Sequence, residues 1–497
     1  MRSLPVFPDL RSFTDWCAAK GQLLRIVDPV SLQQQTTAVA DRVLRAGGPV
    51  LRFDHVTGPA GRVAMPLLAN LFGTRERVAA GLGLTLDQIP ELGAFLAALR
   101  TPAPVAGMRD ALSRWPHLQA ALNTRAKVVR SAEVQEVVQT APDMGRIPVP
   151  TCWPGDAGPL ITWPVVLTRP YGSAQEDTAA YNAGVYRAQV IGHDRLIMRW
   201  LAHRGGAGHH RTWERAGQPM PVALALGCDP ALLLGAALPL PEQVSELTFS
   251  GVLRGARTPL VAAKTVPLMV PANAEIILEG WVHPGETAPE GPFGDHTGYY
   301  NSVDQFPVLR LSAITHRRDP VYLTTHTGRP PDEPSVIGEV FNELALPVFR
   351  QQIPELRDLW LPPAACSYRI AILSIDKRYP GQARRVMLAL WGMLAQFSYT
   401  KMVIVVDADI NPRDWNDVAW AMATRMDPSR DVTILDRTPM DYLDFASPEP
   451  GLAGKIGIDA TNKIGPETTR DWGEVMAQAP EAEAFAEQLL ARLGQRR

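Results

Sequence analysis

Between residues 8 and 20 the apolar positions Leu10, Phe13 and Cys17 recur at helical spacing, which predicts a helix with one buried face. Gly21 follows, and a glycine there can close the helix in the left-handed region. Residues 22–27 and 50–55 read as strands. Between them Ser31 and Gln34 have capping-box spacing for a second helix, which Gly47-Gly48 stops. This alternation predicts an N-terminal α/β domain over 1–121, with helical material to about Ala121 punctuated by Pro102, Pro104 and Pro116.

From Lys127 the period changes. Stretches 163–168, 186–191, 196–201, 275–282 and 308–314 read as strands, with turns such as Gly192-His-Asp194 between them. Many strands and few helices predict a β-barrel or sandwich over 122–326. The most apolar window, 222–240, is interrupted by Asp229 and Pro230, so a buried strand and helix is expected rather than a membrane span. Residues 328–334, Gly-Arg-Pro-Pro-Asp-Glu-Pro, form a stiff polar connector. Strands and helices then alternate again over 327–497, an α/β pattern: strand 367–375, helix 381–397 and buried strand 401–406. Asn411 and Pro412 are suited to open a further helix. Asp407 and Asp409 read as turn and cap carboxylates. The end of the chain, 480–497, is an amphipathic helix with Ala484, Phe485, Leu489, Leu490 and Leu493 on one face, suited to pack on its own domain or a neighbouring subunit. The fold class expected is α+β and multidomain.

Composition narrows the function classes. The 497 residues are 46% hydrophobic and 20% charged, as in a soluble globular protein of several domains. With 49 basic and 51 acidic residues, the net charge of −2 offers no field for nucleic acid. Cys17, Cys152, Cys228 and Cys366 are far apart and form no CxxC, so reduced thiols and a cytoplasmic location are expected. The first residues carry no apolar signal region.

The chemistry concentrates in two stretches. Residues 285–300 hold Glu286, Glu290, Asp295 and His296 among glycines and prolines, beside Phe293, Tyr299 and Tyr300. Gly and Pro favour fixed turns, and acids fixed beside aromatic rings suit proton transfer in a partly dry site. The other reading is an acidic solvent loop. Upstream, two strand-like segments joined by a short turn offer Arg187, Arg199 and Arg204 for a carboxylate or phosphate, with bare backbone at Gly205-Gly206. They also offer Asn182 and His203 as metal ligands, with Glu246 as a third; such a set suits Mn²⁺ or Mg²⁺. Each has an ordinary alternative: Asn182 in a turn, His203 bonded in a core, Glu246 on a surface. Tandem His209-His210 reads as exposed loop.

These residues carry a resemblance. The motifs at 41–49 (Asp-Arg-Val-Leu-Arg-Ala-Gly-Gly-Pro), 150–154, 196–206, 286–300, 327–334, 413–417 and 441–447 (Asp-Tyr-Leu-Asp-Phe-Ala-Ser) resemble the UbiD decarboxylases almost end to end. Within that family the likeness is to the branch acting on 4-hydroxy-3-polyprenylbenzoate in ubiquinone biosynthesis. The resemblance implies prenylated FMN on a split β-barrel, held through its phosphate by Mn²⁺ and a monovalent cation such as K⁺. It places Asn182, His203 and Glu246 as metal ligands. It lines the cofactor with Val185, Tyr186, Arg187, Arg199, Trp200, Leu201, Arg204 and Gly205, and brings Lys455 to the phosphate. Arg187, Glu290 and Asp295 would be the catalytic acid–Arg–acid network; many relatives carry Glu where this chain has Asp295. A UbiX-type flavin prenyltransferase is implied as cofactor supplier, with a homo-oligomer (dimer or hexamer) and possible peripheral membrane contact.

The chemistry agrees with this. Loss of CO₂ from an aromatic acid leaves electrons in the ring plane that no side chain accepts, so a cofactor must supply the sink. Arg187 suits a carboxyl and Glu290, whereas Asp295 would need a proton, which a drier pocket favours by raising its pKa. Rival readings are an FMN oxidoreductase, which needs a nicotinamide site although no GxGxxG follows a strand, and a scaffold subunit that kept the fold. Within the family, the substrate could be another aromatic or prenylated naphthoic acid.

Overall fold

Strand Met220–Leu226 is buried along its whole length, so it must lie inside a sheet covered on both faces. In the computed structural model, which describes residues 3–4, 6–100, 120, 122–202, 204–238 and 244–494, it sits between Val165–Thr168 and Ile276–Glu290 in a nine-stranded sheet. Of the helical stretch expected up to Ala121, Arg75–Gly81 and Ile89–Arg100 are helices, Val56–Gly58, Gly61–Val63 and Leu67–Ala69 are strands instead, and 101–119 and 121 lie outside the described residues. Alternate side chains of Met220–Leu226 serve different cores. Ala223 and Ala225 face the cluster that holds Leu10, Phe13, Cys17 and Phe72. Val222, Leu224 and Leu226 face the cluster that holds Leu51, Phe53 and Trp213.

The sheet's longest pair is Ile276–Glu290 with Asp304–His316, antiparallel, with register shifts at Glu279/Gly280 and Val282/Thr287. A Cβ at Gly280 would lie 2.2 Å from the Arg310 carbonyl oxygen, so only glycine fits the first shift. Gly285, at φ +72°, lies in the second. Such irregularities bend a strand, and the sheet curls into a half-barrel. The strand runs on to Glu290, so residues 285–290 are strand and not the turn that Gly285 and Pro289 predict.

At the N-terminus, Leu10–Ala19 forms the expected helix, with Leu10, Phe13 and Cys17 buried and Gly21 at φ +68°. Asp9 caps it in a box with Ser12. The second helix, Gln35–Arg45, lacks the expected Ser31–Gln34 box: Gln34 is left-handed at φ 68°, and Ser31 lies in a strand, its N–H donating to Gln35. A four-stranded sheet runs Leu23–Ile26, Val50–Phe53, Leu67–Ala69, Tyr322–Leu323. Its last strand comes from far along the chain and pairs parallel with Leu67–Ala69.

The C-terminal sheet is ordered Leu356–Trp360, Ile370–Ile375, Met402–Asp407, Leu452–Ala460, Val432–Pro439. Its three inner strands are parallel and its edges antiparallel, so the α/β pattern expected here is present. The helix expected at Asn411 starts later, at Trp415, because Asp414 accepts the Asn416 N–H as its cap. Arg425 bridges Asp407 at 2.8 Å and Asp409 at 2.6 Å, which gives both acids a structural role. Helix Pro480–Gly494 forms, but Phe485, Leu490 and Leu493 are 60%, 66% and 51% exposed, so it does not pack on its own domain. Among the described residues no single helix is long and apolar enough to cross a membrane. The four cysteines are free.

Candidate active site

Glu290 ends its strand fully buried. A carboxylate there needs cationic partners, and two arginines provide them. Strands Asn182–Val185 and Ala188–Val190 are broken at Tyr186-Arg187, and the antiparallel pairing of Ala188–Val190 with Arg195–Met198 brings Arg199 alongside Arg187. The Arg199 N–H donates to the Arg187 carbonyl at 3.3 Å. Arg187 Nε and Nη2 donate to the two Glu290 oxygens at 2.9 and 3.3 Å, and Arg199 Nη1 donates to Glu290 Oε2. Arg187 Nη1 reaches Asp295 Oδ2 at 2.9 Å. The expected pairing of Arg187 with Glu290 is present.

Three further residues complete the cluster. Asn301 Oδ1 accepts from Arg187 Nη2 at 2.8 Å and from the Phe293 N–H at 2.9 Å, tying the loop to the arginine. Tyr442, from the C-terminal segment, places its ring 5.1 Å from the Arg199 guanidinium. His296 donates its backbone N–H to Asp295 Oδ1 at 2.8 Å, and its ring Nδ1 lies 2.9 Å from the same oxygen. His296 was visible in the motif but had no assigned role. Asn301 sits one residue past the 286–300 motif, and Tyr442 lies within the 441–447 motif, where nothing in the local pattern points to Arg199.

The electrostatics correct one expectation. Burial pushes the Asp295 carboxyl up, but the hydrogen bonds of His296 and the Arg187 charge outweigh it and hold Asp295 down at about 2. Dryness therefore does not make Asp295 an acid in this arrangement. A carboxyl lowered below its ordinary 3.8 stabilises the fold above that pH, and the contribution is lost as pH falls toward about 2. The stability gap between wild type and Asp295→Asn, measured by urea unfolding, is expected to shrink over that window; a gap unchanged by pH would refute the assignment. Glu286 lies outside the cluster, paired with Arg310 at 2.7 Å on the surface.

A second cluster lies along the same strand. Asn182 Nδ2 donates to Glu246 at 3.1 and 3.3 Å, and the Ala183 N–H donates to Glu246 at 2.9 Å. Tyr186 Oη donates to Asn182 Oδ1 at 2.9 Å and accepts the Gly206 N–H at 3.3 Å. Burial raises Glu246, an effect a nearby cation would oppose. Helix Gly205–Arg215 begins here, with Arg204 exposed at its N-cap. A Cβ at Gly205 would lie 2.7 Å from Asn182 Nδ2, and one at Gly206 2.9 Å from Trp200 Nε1, so the glycines keep this cradle bare. Trp200 Nε1 is buried and has no hydrogen-bond partner among the described residues. Val185, next to Tyr186 in sequence, and Leu201, next to Trp200, are half-buried. These residues fit a phosphate with a cation: a helix N-terminus, an arginine and two adjacent oxygen-bearing side chains. His203 lies outside the described residues, and no group of three His, Cys, Asp or Glu suited to a metal occurs among the described ones. His209 and His210 are on the helix rather than in an exposed loop; His209 Nδ1 lies 3.0 Å from Thr168 Oγ1, and the His210 ring lies 5.5 Å from the Trp200 ring, tilted by 42°. Lys455 Nζ donates to the carbonyls of Ser398, Thr400 and Pro439, and burial lowers it to about 8.

Residues 126–330 match the 3-octaprenyl-4-hydroxybenzoate carboxy-lyase Rift-related domain, 335–460 the C-terminal domain of that enzyme and 14–96 its N-terminal domain. The UbiD-class enzyme HmfF from Pelotomaculum thermopropionicum, solved in complex with FMN, is 30% identical over 96% of this chain and 98% of its own, with a TM-score of 0.77. This chain belongs to the UbiD family of carboxy-lyases. An evolved dimeric form of HmfF in complex with prFMN is also 30% identical, covering 96% and 98% of the two chains, with a TM-score of 0.76. Vanillic acid decarboxylase from Sedimentibacter hydroxybenzoicus in closed form is 26% identical over 98% of this chain and 99% of its own, with a TM-score of 0.81. The UbiD assignment makes the Arg187 cluster part of a decarboxylase.

Proposed function

We propose that this UbiD-family enzyme removes CO₂ from an aromatic acid with prenylated FMN as cofactor, and that its substrate is 4-hydroxy-3-polyprenylbenzoate, on the route to ubiquinone. The observation that carries the reaction class is the buried Glu290 held by Arg187 and Arg199, with Asp295 on the same Arg187 fork. The HmfF complexes with FMN and prFMN support the cofactor. When bound, the flavin supplies the electron sink that the decarboxylating ring lacks. Arg187 orients the carboxyl-bearing side of the site through a planar fork, which also fixes the spacing of Glu290 and Asp295. Asn182, Glu246 and His203 would hold Mn²⁺, with K⁺ beside it, and the cradle at Arg204, Gly205 and Gly206 would take the cofactor phosphate. We read 1–121, 122–326 and 327–497 as the N-terminal, flavin-binding and C-terminal domains.

Glu246→Ala removes one of the two like-charged groups, carboxylate and phosphate, that the cation would sit between and hold together. Metal analysis and flavin absorbance of the purified variant should both show loss of Mn²⁺ and most flavin. Full occupancy of both would rule out this metal site.

The substrate is supported by the 441–447 and 286–300 motifs and by aromatic side chains exposed near the cluster: Tyr299 at 63%, Phe445 at 57% and Tyr442 at 41%. Tyr299 and Phe445 bring the central and C-terminal segments within 5.7 Å of each other. An apolar tail on the substrate would bury against such rings. Efficiency should rise from 4-hydroxybenzoate through short to long 3-prenyl derivatives in parallel kcat/KM assays. Equal values across the series would favour a small aromatic acid, as the vanillic acid decarboxylase acts on.

A further inference from the structure

Non-oxidative decarboxylation consumes one proton per turnover, because the ring–carboxylate bond is replaced by a C–H bond. The proton must reach the ring from solvent. Asp295 is poorly disposed to fetch it: Oδ2 accepts from Arg187, Oδ1 accepts from His296, and the side chain is only 14% exposed. His296 is better disposed. Its ring is 25% exposed, Nδ1 lies 2.9 Å from Asp295 Oδ1, and Nε2 has no hydrogen-bond partner among the described residues. Nothing there anchors the far edge of the ring, so a turn of the side chain can present Nδ1 to solvent.

We propose that His296 is the relay that loads a proton onto Asp295, a positioning residue acting through that carboxylate; this rests on the decarboxylase reading above. The imidazolium gives its Nδ1 proton to Asp295 Oδ1. Asp295, now a carboxylic acid, gives that proton to the ring carbon that has released CO₂ and returns to the carboxylate. The neutral ring keeps its Nε2 hydrogen and takes a new proton at Nδ1 from water.

The surroundings favour this order. Asp295 faces His296 from its own loop, and Asp441 and Arg369 face it from the C-terminal segment, bonded to each other at 3.0 Å. Burial alone would lower His296, but the hydrogen bond and charge of Asp295, with the charge of Asp441, raise it against the opposing Arg369. Between turnovers the proton therefore resides on the imidazole while Asp295 stays ionised.

His296→Asn keeps a side-chain N–H for Asp295 but cannot carry an extra proton, and His296→Gln serves if that variant folds poorly. In the flavin-loaded enzyme kcat is expected to fall roughly 10- to 100-fold, with flavin content unchanged. The wild-type kcat should also decline as pH rises through the raised His296 value, and this limb should vanish in the variant. A variant with wild-type kcat and the same limb would overturn the relay. A second arm needs no turnover: the His296 ring is followed by nitrogen NMR in flavin-free protein. Its midpoint should lie above that of free histidine and drop in Asp295→Asn; equal midpoints in the two proteins would overturn the coupling. A wild type that releases CO₂ from none of the prenylated or simple 4-hydroxybenzoates defeats the decarboxylase reading and the relay with it, a result the NMR arm cannot produce.

Discussion

Asp295→Asn should retain its flavin and lose turnover by roughly 10²-fold or more, a general-acid effect in magnitude. The variant keeps the shape of the side chain. Its amide oxygen can still accept from Arg187 Nη1, now 2.9 Å from Asp295 Oδ2. What disappears is a group able to take a proton and pass it on. The cradle at Asn182, Glu246 and Gly205 shares no hydrogen bond with Asp295, so cofactor retention should be normal. Arg187→Lys should also lose turnover, because one ammonium cannot serve Glu290, Asp295 and Asn301 as the guanidinium does. The discriminating assay is exchange of the product's ring hydrogen in D₂O at the carbon that carried the carboxylate, a half-reaction with proton transfer but no CO₂ loss. Exchange by Asp295→Asn at the wild-type rate would transfer the donor role to Glu290 or to water.

Removing Arg254 should cost about 3–5 kcal/mol of stability, the range for breaking a buried ion pair from one side. Arg254 and Asp229 have side chains only 4% and 5% exposed, joined by bonds of 3.0 and 2.6 Å. Asp229 also caps helix Pro230–Ala237, whose residues from Pro230 to Ala236 are buried in the larger core. In Arg254→Met the aspartate is left charged and unpaired beside that helix. The double variant Arg254→Met, Asp229→Asn should recover part of the loss, since asparagine still caps the helix and no orphan charge remains. Denaturant unfolding checks both; Arg254→Met within about 1 kcal/mol of wild type would contradict the account.

Much of this molecule was legible because local patterns and tertiary needs agree. Leu10, Phe13 and Cys17 marked a helix face that is buried, and Asp229-Pro230 divided an apolar run into a strand and a capped helix. The Arg187–Glu290 pairing was readable through the resemblance, which places both residues in one acid–Arg–acid network. Other features depend on contacts that no local pattern encodes. Gly285 and Pro289 argued for a turn, yet pairing with Asp304–His316 carries the strand to Glu290 and confines the glycine to a register shift. The low value at Asp295 depends on the direction of the next residue's ring. Tyr442 reaches Arg199 only because the C-terminal segment lies against the central sheet. The bonds of the Lys455 ammonium to three backbone carbonyls likewise depend on tertiary contacts.

The strand Tyr322–Leu323 also sets an order of assembly. During synthesis the edge at Leu67–Ala69, wholly buried in the finished protein, has no neighbour on one side until the ribosome has passed residue 323. An unpaired apolar edge is a template for the wrong partner, and a pairing this distant in sequence closes slowly. The first hundred residues are therefore not a self-sufficient unit. A nascent chain stalled before Tyr322 is the form of this protein most in need of a chaperone, and a fragment ending there should be recovered as aggregate even though its own helices and strands are intact.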